Sequence, residues 1–186
     1  LLIIYKTKFI SQLIENGWHG IAYAGVFTIT NIFFVISIEN TNVANTLIMI
    51  ALAPMLSAII SFIFLKENTD QKTWIAIIIT TLAVIYIFYD SFERGDVLGN
   101  FLGLVCATGL AVGAVIIRSA KKINLVPSAM MGKLMVTLIA LLFADNLVLK
   151  GNDSIIIPLM CIMCVAIPFV LITLAPRYIS AAEVNL

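Results

Sequence analysis

The sequence predicts an all-α polytopic membrane protein with six complete transmembrane helices and partial helices at both ends. Three observations lead there. Hydrophobic residues make up 62% of the 186-residue chain and charged residues 11%, against roughly 45–50% and 25% in soluble domains. The charges sit in short clusters, which leaves long apolar runs between them. The basic residues also sort onto alternate connections between those runs. So little charge cannot solvate the surface of a soluble domain of this length, and it excludes a disordered chain, a nucleic-acid-binding tail and a small secreted scaffold.

Taken in order, the runs without charge are Asn16–Ile38, Asn40–Leu65, Thr73–Tyr89, Val97–Ile117 and Ser154–Pro176, with 23, 26, 17, 21 and 23 residues. Ile123–Ala144, between the fourth and last of these, has 22 residues with Lys133 as its one charge. About 20 apolar residues span a hydrocarbon core of about 30 Å as a helix, whereas barrel strands need only about 9–11 residues of alternating polarity, which is absent here. Leu1–Ile4 runs into Lys6 and Lys8, the reverse of a secretory signal, and is read as the tail of a preceding helix. Ile179–Leu186 is read as the opening of another.

Local signals mark the boundaries. Asn42, Asp70 and Asp96 are candidate N-caps, and Pro127 falls in a first helical turn, where its missing N–H costs little. Arg118, Lys121 and Lys122 close the fourth span, favourably for the helix dipole. Pro54 and Pro168 lie inside the second and last spans, and each is expected to bend its helix by freeing a carbonyl one turn earlier.

If the spans alternate, one side holds Lys6, Lys8, Lys66, Lys72, Arg118, Lys121, Lys122 and Arg177. The other holds only Arg94 and Lys150. Eight against two places residues 1–15 in the cytoplasm by the positive-inside rule.

Shifting the chain by 136 positions lays Phe33–Val43 on Phe169–Ile179, F-F-V-I-S-I on F-V-L-I-T-L. The shift carries the first span onto the sixth, so the two copies face opposite ways, an arrangement many secondary transporters use to build a midplane site.

The stretch Thr41–Glu67 (T-N-V-A-N-T-L-I-M-I-A-L-A-P-M-L-S-A-I-I-S-F-I-F-L-K-E), followed by Trp74, resembles the first repeat of the drug/metabolite transporter superfamily, EamA branch. The shared pattern is a small residue, an aliphatic run, an Ala-Pro step and a helix closing at Leu-x-Glu. Leu174–Leu186 is similar to the opening of the penultimate helix in one bacterial subgroup. Gly95-Asp96 before a Gly/Ala-rich span and Arg118 fits the start of the second repeat. The resemblance implies a ten-helix fold of two inverted repeats. Residues 1–93 would hold the end of helix 2 and helices 3–5, and residues 94–186 helices 6–8 and the start of helix 9, without the first and last helices. It also implies a secondary-active, alternating-access carrier of small metabolites, amino-acid-like or drug-like, in the bacterial inner membrane. A non-transporting membrane binding or scaffold protein is the alternative.

The candidate substrate residues are Asn42, Asn45, Thr46, Ser57 and Glu183. Asn42, Thr46, Met49, Ala53, Ser57 and Ser61 share one face at helical spacing, either a polar cavity wall or a small-residue packing seam. On the fourth span, Gly99, Gly103, Ala107 and Ala114 form a stripe read as packing. Asn31 is polar in mid-span, suited to an interhelical hydrogen bond or to substrate. Lys133 lies about 9 Å past Pro127, where it can snorkel to the interface or enter a cavity. Glu183 lies about 9 Å beyond Arg177, too short to snorkel out, and is expected to serve proton coupling or a cationic substrate.

Enzyme chemistry is not indicated. Tyr89-Asp90 lacks a Gly-x-Gly-Asp partner, and there is neither a Gly-x-Ser-x-Gly elbow nor a zinc motif. Cys106, Cys161 and Cys164 have no His or acid beside them, so no metal is expected, and no cofactor or nucleic-acid partner. Without a nucleotide-binding loop, transport would be driven by a gradient or by exchange.

Overall fold

The computed structural model describes residues 8–66, 71–94, 97–120, 123–143, 151, 153–168 and 171, and among them every regular element is a helix. In chain order these are α1 (Lys8–Glu15), α2 (Gly17–Asn40), α3 (Val43–Ile50), α4 (Ala53–Leu65), α5 (Gln71–Arg94), α6 (Val97–Ser119), α7 (Val126–Leu142) and α8 (Asp153–Met160). A π-helical stretch, Cys161–Ala166, continues α8.

Three units are long and apolar enough to cross a membrane: Gly17–Asn40, Val43–Leu65 and Val97–Ser119. The other three expected runs appear as shorter apolar stretches, Trp74–Tyr86, Val126–Leu142 and Ser154–Met163. The first crossing does not continue smoothly from its amphipathic leader. Gly17 adopts φ +49°, a left-handed conformation that glycine takes without penalty, and it separates α1 from α2.

The second crossing is two helices. Pro54 has no N–H to return to the carbonyl of Ile50, and its ring crowds that turn. The chain tightens instead: the Leu52 N–H donates to the Met49 carbonyl at 3.1 Å, and α4 restarts at Ala53 with Pro54 in its first turn. Asn42 caps α3, its Oδ1 accepting from the Ala44 N–H at 3.0 Å. Pro127 occupies the first turn of α7.

Helix α6 is the hub, packed against α2, α3, α4 and α5, while α7 lies along α2. Most of the buried residues of this hub are small, among them Gly99, Gly103, Ala107, Ala111 and Ala114. Met49 fills the space over Gly103 and joins Leu52, Ala53, Val84 and Ala107 in one core cluster. Large side chains face outward, among them Trp18, Ile78, Ile79, Leu82, Phe101, Leu138 and Leu142. Ser37, Thr46, Ser57, Asn100 and Ser128 are fully buried. Small and polar inside with large aliphatics outside is the pattern of helices that associate by close packing in a solvent as apolar as leucine.

Candidate functional site

Halfway along the long helices lies an open cavity of about 280 Å³. Helix α2 lines it with Phe27, Thr30, Asn31 and Phe34, whose i, i+3, i+4, i+7 spacing puts all four on one face. Cys106 and Leu110, one turn apart, come from α6, and Lys133 comes from α7. Ile50, at the α3–α4 break, closes one side, with Val165 in the π-helical stretch and Pro168 just beyond it on another. Asn31 is about 21 Å from the start of α2, and Cys106 about 14 Å from the start of antiparallel α6, so the cavity is near the middle of both.

Local hydrogen bonds hold the polar lining. The Thr30 hydroxyl donates to the Val26 carbonyl at 2.7 Å, and Asn31 Nδ2 donates to the Phe27 carbonyl at 2.8 Å. Cys106 Sγ donates across helices to the Thr30 carbonyl at 3.4 Å. Lys133 Nζ lies 5.1 Å from the centroid of the Phe27 ring, within cation–π range. Lys133 thus lines the cavity from α7, with its ammonium over a mid-span ring.

Two polar seams close the bundle on either side of this cavity. At one end, Asn16 Nδ2 donates to the Asn124 carbonyl at 3.0 Å and to Ser128 Oγ at 2.8 Å, tying α2 to α7. At the other, Ser37 Oγ donates to the Gly99 carbonyl at 2.7 Å and lies 2.8 Å from Thr46 Oγ1. Thr41 Oγ1 donates to Asn100 Oδ1 at 3.2 Å there, joining α6 to the α2–α3 turn. Gly99 makes this approach feasible, since a Cβ would fall 2.7 Å from the Asn40 carbonyl carbon.

The sequence-predicted residues divide accordingly. Asn31, Lys133 and Pro168 meet in the cavity. Asn42 is the exposed α3 cap, and Asn45 Nδ2 donates to Thr41 Oγ1 at 3.3 Å. Thr46 and Ser57 are fully buried with Met49 and Ala53, off the cavity. Ser57 Oγ has no hydrogen-bond partner among the described residues. Pro54 follows the helix break, and Glu183 lies outside the described residues. Sequence reasoning missed Ser37, Asn100, the Asn16–Ser128 bond and the aromatic pair Phe27 and Phe34. Asn100, one position from Gly99, was the one legible hint, an amide at the start of an otherwise small-residue stripe.

A polytopic bundle with a mid-span cavity and a proline-broken helix beside it invites comparison with carriers. The family model of the EamA-like transporters matches residues 1–89. That segment is similar to the EamA-like transporters. No curated protein and no solved structure matches the chain. The EamA-like segment contributes Phe27, Thr30, Asn31, Phe34 and Ile50 to the cavity, while Cys106, Leu110 and Lys133 come from the chain beyond it.

Proposed function

We infer that the chain belongs to a secondary-active carrier of small metabolites, working by alternating access between two inverted repeats, residues 1–93 and 94–186. The observation that carries this reading is the cavity placed midway between two polar seams, built jointly by an EamA-like segment and the helices that follow it. A midplane site at a repeat boundary, flanked by a discontinuous helix, is how such carriers hold substrate. Each seam is a set of a few hydrogen bonds, weak enough to open in turn. Interhelical hydrogen bonds in membranes average about 0.6 kcal/mol, so one seam can exchange for the other without unfolding the bundle.

In this scheme Asn31 and Lys133 contact substrate, while Thr46 and Ser57 serve the seam of α3 and α4 against α6. Glu183, beyond the described residues, is assigned the second charged position of the pathway. The charge bias of the loops puts the Asn16 seam on the cytoplasmic side of the bacterial inner membrane. Reconstituting the full-length protein in proteoliposomes and measuring counterflow of labelled amino acids and their derivatives tests the reading. Saturable counterflow is expected. Folded, inserted protein with no flux across a broad panel would favour a membrane binding or scaffold role instead.

A further inference from the structure

We propose that α1 is an interfacial helix that docks on anionic lipid at the cytoplasmic face, its Ile10–Ile14 side entering the membrane boundary beside Trp18. The helix is anchored on its polar side. Gln12 Oε1 accepts from Asn124 Nδ2 at 3.4 Å, and Asn16, one turn on, donates to the Asn124 carbonyl and to Ser128 Oγ. Those bonds hold α1 against the start of α7. At 100° per residue, Ile10 and Ile14 each lie about 160° round the helix from Gln12. They remain 67% and 75% exposed. Trp18, just past the left-handed break at Gly17, is 77% exposed.

Length and charge point to what covers that face. An eight-residue helix is too short to cross a bilayer or to persist alone in water, so it takes its stability from the surfaces it lies on. One of these is α7. The other meets Ile10 and Ile14, and helices with an apolar side of this kind lie in the membrane boundary with that side buried. Trp18 belongs at the same depth, since indole favours the headgroup level. The sequence surrounds this junction with positive charge. Lys6 and Lys8 lead into α1, and Lys121 and Lys122 stand three and two positions before Asn124. Glu15 is the one acid among residues 1–38, and residues 97–144 contain none. A lysine-rich helix end with an apolar side complements the negative surface of an anionic leaflet. A neutral surface would offer it the apolar contact alone. The proposal uses the cytoplasmic placement of residues 1–15 and is independent of transport.

Nitroxide labels on Ile10→Cys, Ser11→Cys and Ile14→Cys, each in the full-length protein with its native cysteines replaced by serine, read depth in the membrane. The protein is reconstituted in phosphatidylcholine vesicles with or without phosphatidylglycerol, so that both leaflets carry the same charge. Collisions with oxygen, which concentrates in hydrocarbon, are compared with those of a water-soluble nickel chelate. With phosphatidylglycerol, positions 10 and 14 are expected to favour oxygen and position 11 the chelate, the pattern of a helix lying at the boundary. Without it, or in high salt, positions 10 and 14 should shift towards the chelate. Each lysine beside an anionic surface is worth about fivefold in partitioning, so Lys6→Gln combined with Lys8→Gln should lower the docked-to-free ratio at least about tenfold. Labels at 10 and 14 closed to both reagents would overturn the proposal, because another segment or a second copy would then cover the face. Chelate access at 10 and 14 in the anionic vesicles would also overturn it. So would the same pattern in both vesicles, which would mean embedding without recognition of charge.

Discussion

Replacing Gly99 by Ala is expected to weaken the bundle far more than the same change at Gly25. A Cβ on Gly99 would meet Thr41 Cβ at 2.6 Å and the Asn40 carbonyl carbon at 2.7 Å. Carbon atoms settle at about 3.5–4.0 Å, so α6 must retreat by about 1 Å from the α2–α3 turn, which is backbone and cannot rotate away. Such overpacking costs about 1–3 kcal/mol. The retreat also stretches the 2.7 Å bond from Ser37 to the Gly99 carbonyl and the 3.2 Å bond from Thr41 to Asn100 beyond hydrogen-bond range. At about 0.6 kcal/mol for each interhelical bond, the total comes to roughly 2–4 kcal/mol. Gly25, on α2, has nothing within 4 Å of its Cβ position. Alanine there gains up to about 1 kcal/mol of helix propensity. SDS titration of the full-length protein in mixed micelles, followed by helical circular dichroism, should therefore place Gly99→Ala well below wild type and Gly25→Ala at or above it. Coincident curves for the two variants would refute the seam as a close-packed contact.

Ser57→Ala should leave stability unchanged or raise it by up to about 1 kcal/mol, because the hydroxyl is fully buried without a partner among the described residues; a loss of counterflow in a stable variant would return Ser57 to the substrate path. Asn42→Ala is expected to cost about 1 kcal/mol through the lost α3 cap, with Asn42→Ser restoring both stability and transport; failure of Ser to restore transport would point to substrate contact. Single cysteines placed in 66–72 or 121–124 should react only with membrane-permeant reagent from outside, and those in 90–96 or 152–154 with impermeant reagent, as the positive-inside bias requires. Impermeant labelling of the 121–124 connection would invert the topology.

Composition and run length by themselves determined that this chain is helical and membrane-embedded, because the cost of burying backbone and charge in hydrocarbon leaves few sequences compatible with it. The Ala-Pro step within Thr41–Glu67 likewise announced a helix interruption, since proline acts on its own helix within one turn. The small-residue stripe on α6 was legible for the same local reason, a period of about four on one helix. What remained undecided was every question about which face meets which neighbour. Thr46 and Ser57 share a face with Asn42, and sequence spacing cannot tell a seam from a cavity wall; only the approach of α6 buries them. The place of Lys133 over the Phe27 ring, across the α2–α7 contact, is likewise set by tertiary structure. Asn100 and Ser37 are 63 positions apart in the chain, and they become one polar seam only because Gly99 lets the two backbones come close. The cavity has the same origin: it is the space left where α2, α6 and α7 diverge between two seams, a property of helix contacts over long sequence separations that no single stretch encodes.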